Sequence, residues 1–265
     1  MTDATWLYHQ KIWIDLTLTF AYLFGVTYLG HVLGRWVKGR PNHRAPPQLA
    51  EFVPSTVLGM LALILGFTFS MTITRFEGRR QLVMSESDAI ETSYLRLDLL
   101  EQPYRSELKG LLRQYLDGRI QYYDLLSSGR DAAAAVEGQV ADLQNRIWKG
   151  AVAATRETRS PIENSVTLSL NTMFDLRSDR NFALTKTLPP MIYWTILFIA
   201  GMGLSTFNFA RALRGETGQW QSSILVLMVA FIFILILDIE RPTEGTIRIT
   251  QEAMLDVKAA IERFP

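Results

Sequence analysis

Three histidines, His9, His31 and His43, and no cysteine make up the imidazole and thiol complement of this 265-residue chain. A zinc site or an imidazole relay needs such groups converging, for instance at i and i+4 on one helix face. These three share no such spacing and have no carboxylate motif beside them. The lack of cysteine excludes disulfides, thiol nucleophiles and iron–sulfur clusters. The chain has no phosphate-cradling glycine loop ending in Lys-Ser or Lys-Thr and no nucleophile elbow, so neither catalysis nor a metal or cofactor is expected.

The charged groups that stand out are clustered in two places, each at the end of a long apolar run. Arg75, Glu77, Arg79 and Arg80 follow one run, and Asp238, Glu240 and Arg241 with Pro242 follow another. At a membrane exit the first cluster has two readings. It is an anchor whose long side chains reach the headgroups, or a pore-mouth ring that concentrates anions once several copies surround an axis. The second cluster caps a neighbouring helix, pairs with the first, or sits in water. Asp15, His31 and Asn208, the remaining polar residues in or beside apolar runs, suggest no relay by themselves.

The elements that position these charges follow from four stretches without any Asp, Glu, Lys or Arg: Leu16 to Leu33, Phe52 to Thr74, Leu188 to Ala210 and Trp220 to Leu237. Each meets the length of a membrane-crossing helix, about 17 to 25 residues. Trp6, Trp13, Trp36, Trp194 and Trp220 lie at or near their ends, where amphipathic rings settle at headgroup level. The first ten residues hold Asp3 and no Lys or Arg, so the first run is expected to stay as an anchor and not to be cleaved as a leader. With 27 basic against 26 acidic residues, the chain has no global field for nucleic acid.

Between the second and third runs the pattern is helical throughout. The second run is expected to continue out of the bilayer as a rod to about Leu100. A further helix opens with Pro103 at its first helical position and a stripe of Tyr104, Leu108, Leu111, Leu112, Tyr115, Leu116, Ile120 and Tyr123, closed by Ser127, Ser128 and Gly129. Asp131 reads as the cap of the next helix, to about Thr158, and Ser160-Pro161 with Glu163 as the start of another. Thr250 to Ala260 reads as a capped amphipathic helix. No period-two alternation marks a strand.

The second run is itself unusual. Met60, Leu63 or Ile64, Phe67 and Met71 recur at spacings of three and four, among Gly59, Gly66, Thr68, Ser70, Thr72 and Thr74. Small and hydroxylated residues allow close helix packing. The apolar series also suits a constriction that controls conduction by dewetting.

Several of these residues resemble a known family. Leu58-Gly59, Leu65-Gly66-Phe67, Arg75-Phe76-Glu77-Gly78-Arg79-Arg80 and Ile239-Glu240-Arg241-Pro242 are similar to stretches of the bacterial bestrophin-like domain family, and more distantly of the bestrophin anion channels. The resemblance implies a homo-oligomer, a pentamer by analogy, whose second helix lines an apolar neck with Leu63 and Phe67 at neck positions. It also implies that small anions such as chloride pass, and that both termini and the helical insert are cytoplasmic in a bacterial-type inner membrane. The acidic calcium-binding cluster of the animal proteins is absent, so no calcium gating is expected. Charge counting alone leaves sidedness open. Arg35, Lys38, Arg40, Arg44, Arg211 and Arg214 in the short loops are answered by Lys11, Arg75, Arg79, Arg80, Arg177, Arg180, Lys186, Arg241 and Arg248 opposite.

The expected fold is therefore an all-α integral membrane protein. It comprises helices one and two over 1–74, an extramembrane bundle over 75–187, helices three and four over 188–240, and a C-terminal amphipathic segment over 241–265. The expected function is passive anion conduction. The alternative is a non-conducting scaffold or sensor whose bundle docks a soluble partner.

Overall fold

The computed structural model describes residues 12–40, 47–126, 130–158, 161–216, 218, 220–241 and 245–263. Among these the regular elements are helical: α1 (Ile12–Lys38), α2 (Pro47–Arg96), α3 (Tyr104–Leu126), α4 (Arg130–Thr158), α5 (Pro161–Thr185), α6 (Pro190–Arg214), α7 (Trp220–Ile239) and α8 (Glu252–Arg263). Four of the helical segments are long and apolar enough to cross a bilayer. The protein is an all-helical membrane protein, as its charge-free runs require.

The second run does continue as one helix: α2 is 50 residues long in all, passes Thr74 without a break to Arg96, and closes through a 3-10 turn at Leu97–Leu99. Three local readings shift. Helix α4 begins at Arg130, so Asp131 lies inside its first turn, where a carboxylate still meets the positive helix end, and does not cap it. Helix α3 begins one residue after Pro103. Helix α8 runs from Glu252 to Arg263, two to three residues later than its polar pattern suggests, because Met254, Val257 and Ile261 set its buried face. Ser127, Ser128, Gly129, Ser160 and Pro242 fall outside the described residues, as do His9 and His43.

The chain divides into two compact units, Met1–Thr74 with Thr187–Ile247, and Arg75–Lys186 with Arg248–Pro265. The first holds α1, α6, α7 and the early part of α2. Its buried core includes Leu23, Leu61, Leu65, Ile196, Leu204, Val226, Phe233 and Ile236. Helices α1 and α6 approach closely because α1 offers glycine at the contact. A Cβ at Gly30 would run into the Ser205 carbonyl, and one at Gly34 would come within 2.6 Å of the Phe209 carbonyl oxygen. Small residues one turn apart permit this in lipid, where packing and not water exclusion drives association. Hydroxyls within the spans return to the preceding turn, as Thr56 does to Phe52 O at 2.9 Å and Thr206 to Met202 O at 2.8 Å.

The second unit packs the later part of α2 with α3, α4, α5 and α8 around Ile90, Leu97, Leu108, Leu112, Leu116, Val140, Ile147, Val166, Leu170 and Met254. An ion pair from Lys258 to Asp117 at 2.7 Å adds a surface contact between α8 and α3.

Candidate functional site

Within the first unit α2 has two faces of different character. Leu61, Leu65, Thr68 and Thr72 are buried toward the unit's own helices, and the Thr68 hydroxyl donates to Ile64 O at 2.8 Å. The Thr68 hydroxyl is thus engaged by its own helix. Ile64 is half-buried against the same core, which takes it off the opposite face. That opposite face carries Met60, Leu63, Phe67 and Met71, with Leu63 59% and Phe67 71% exposed. Gly59 and Gly66 are exposed, with nothing within 4 Å of a Cβ placed on either. Seven residues make nearly two helical turns, so Met60, Leu63, Phe67 and Met71 form one continuous apolar stripe left uncovered by the described residues.

The charges after this segment do not act as one group. Arg79 is buried in the second unit, donating from Nε to Ala183 O at 3.2 Å and from Nη2 to Lys186 O at 2.6 Å, so it ties α2 to the end of α5. Glu77 and Arg80 are exposed and form an i, i+3 ion pair at 3.7 Å. Arg75 is half-buried. Of the four, only Glu77 and Arg80 project clear of the protein.

Asp238, Glu240 and Arg241 of the second exit cluster are internal, which removes the solvated one of its three readings. Asp238 accepts from the backbone N–H of Thr246 at 2.8 Å and of Ile247 at 3.1 Å, holding the chain that follows α7. Glu240, fully buried, accepts from the Leu188 N–H at 3.3 Å just ahead of α6. Arg241 donates to Asp15 of α1, both nearly sealed from solvent. The motif thus fastens the end of α7 to the starts of α1 and α6. Asn208 belongs to a separate fastening: Ser222 donates to its Oδ1 at 2.6 Å, and Arg211 donates to Ser222 Oγ at 2.7 Å and to Glu216 at 2.7 Å, closing the α6 to α7 turn. The Arg211 and Arg214 hydrogen bonds hold Glu216 below the usual carboxylate range.

One constellation escaped the sequence reading. In the second unit Glu86 of α2, with no exposed surface, is bound by Arg119 of α3 and by Arg180 of α5, whose Nη1 reaches Oε2 at 2.7 Å. Arg177 extends the network to Gln144 and Glu137, and Asn181 donates to Glu137 at 2.7 Å. Burial by itself would raise the Glu86 pKa, but the guanidiniums, Arg119 foremost, hold it below the ordinary carboxylate value. The same burial, with Glu86 nearby, pushes the Tyr115 hydroxyl upward. Arg119 sits on the buried stripe of α3 between Tyr115 and Tyr123, and Glu86 between Val83 and Ile90. A charged residue at a core position on each of several helices was the available signal.

A family model described as Bestrophin-like domain matches residues 21–254. No curated protein matches the chain. In fold it is similar to the crystal structure of a single-residue variant of a bacterial bestrophin homologue from Klebsiella pneumoniae, with a TM-score of 0.67 at 12% identity, covering 94% of this chain and 98% of that one. A second variant of that homologue gives 0.65 at 13% identity, covering 96% and 98%. A structure described only as a membrane protein gives 0.62 at 16% identity, covering 96% of each chain. At these identities the structural likeness speaks for the fold.

Proposed function

The chain belongs to the Bestrophin-like domain family, and from that premise we propose that it is an oligomeric membrane channel that passively conducts small anions such as chloride along a path lined by α2. The observation that carries the proposal is the stripe of Met60, Leu63, Phe67 and Met71, large apolar side chains that none of the described helices covers. Lipid would cover it in a monomer. In a ring of copies, the pentamer that the resemblance implies, the same stripe faces an axis.

The mechanism follows from the residue types. At the Leu63 and Phe67 level the path offers no hydrogen-bond partner, so an ion crossing it sheds water and the passage conducts only when it is wide enough to stay wet. Because Arg79 is engaged within the second unit, selectivity rests on this apolar neck more than on a charged ring. Acid–base groups play no part.

The inner membrane of a bacterial-type cell, with the second unit and both termini in the cytoplasm, is the setting proposed with it. The experiment is chloride efflux from loaded liposomes containing the purified protein, against protein-free liposomes. Efflux above background supports a channel. Silence from folded, oligomeric protein favours a non-conducting scaffold whose second unit docks a soluble partner.

A further inference from the structure

A groove of about 580 Å³ lies within the first unit, between α1, α6 and the end of α7. Tyr22, Trp194, Phe198 and Phe233 form its apolar walls, and Asp15 and Thr19 lie along it. Asp15 is only 5% exposed and its Oδ2 accepts from Arg241. Its second oxygen, Oδ1, has no hydrogen-bond partner among the described residues and is not sealed in. A nearly buried carboxylate with one oxygen unengaged among the described residues therefore lines a mostly apolar groove.

The position of that acceptor along the spans matters. Asp15 is in the first turn of α1, Trp194 near the start of α6, and Leu237 near the end of α7. All three mark span ends, where headgroups meet the protein and aromatic rings gather. From there the walls run inward through Tyr22 and Phe198 to acyl-chain depth.

We propose that this groove binds a phospholipid with a primary-ammonium headgroup. The ammonium donates an N–H to Asp15 Oδ1 beside the aromatic faces, and an acyl chain lies along the inner walls. Aromatic rings attract a cation through their negative faces, and the carboxylate selects one that can donate. An anionic headgroup would be repelled. A helix from a second copy would cover Oδ1 with carbon and leave a buried carboxylate oxygen unpaired, which is costly. The inference needs only that these helices span a bilayer, and it stands apart from conduction.

The test is native mass spectrometry of the full chain after exchange into an equimolar mixture of phosphatidylethanolamine, phosphatidylcholine and phosphatidylglycerol with identical acyl chains. Phosphatidylethanolamine should be retained about tenfold over the other two, the scale of one charge-assisted hydrogen bond. Asp15→Asn should abolish its advantage over phosphatidylcholine. Since that change also disturbs Arg241, Phe198→Ala serves as the second variant: it leaves the ion pair intact and should lower retention by removing a wall. Equal retention of the three lipids, retention of none, or phosphatidylethanolamine retention undiminished in Phe198→Ala would each overturn the proposal.

Discussion

Arg119 holds Glu86 with two prongs, Nε to Oε1 at 2.6 Å and Nη2 to Oε2 at 3.1 Å, and neither side chain has any exposed surface. Arg180 binds the same carboxylate. One acid thereby joins three helices of the second unit. Removing it takes from two buried cations the carboxylate they share, and breaking a buried ion pair costs about 3–5 kcal/mol. Glu86→Ala should therefore lower thermal stability sharply, measured by helical circular dichroism in detergent, while Glu77→Ala, at an exposed pair, should change it little.

The same pair gives a pH dependence. Despite burial, which raises it, Glu86 is held low by Arg119 and Arg180. A depressed folded-state pKa contributes stability that is fully present above the unfolded carboxylate value of about 4.3 and is lost as pH falls through the folded value. Unfolding temperature followed from pH 6 to pH 3 should fall most steeply below about pH 4.3. In Glu86→Gln that steep part should be reduced.

Gly30 and Gly34 set the distance between α1 and α6. Gly30→Leu should force the two helices apart and destabilise by about 1–3 kcal/mol or more, the range for overpacking. Gly25, whose Cβ position meets nothing within 4 Å, is the internal control. Gly25→Leu should leave the melting temperature nearly unchanged.

Asp15 and Arg241 form a buried pair between α1 and the segment after α7. Asp15→Leu or Arg241→Met alone leaves a buried charge. The double variant removes both and should be more stable than either single change. A double-mutant cycle on thermal unfolding checks this; strict additivity would contradict the pairing.

The spans were legible because the bilayer forbids what the sequence lacks: Phe52 to Thr74 carries no charge for physical reasons that act residue by residue. The continuation of α2 was legible for a similar reason, since no Pro and only Gly78 interrupt residues 75 to 100. What stayed hidden depends on residues distant in the chain. Nothing near Glu86 announces Arg180, 94 positions away, and nothing near Arg241 announces Asp15, 226 positions away. The burial of Arg79 was hidden in the same way, because its partners are carbonyl groups, which every residue possesses. Ile64 and Leu63 are neighbours in a helix, and only the packing of α2 on its own unit separates the covered one from the exposed one.

The most direct test of the channel account is chloride efflux from liposomes carrying the native protein and, in parallel, Phe67→Ala. Phe67 is the most exposed of the stripe residues at 71%, so its loss should not unfold the protein. The account predicts efflux above protein-free liposomes and faster efflux from the variant, whose neck is wider and wetter. Efflux that is absent, or identical in both proteins of equal oligomeric state, would contradict a path lined by α2 at Phe67.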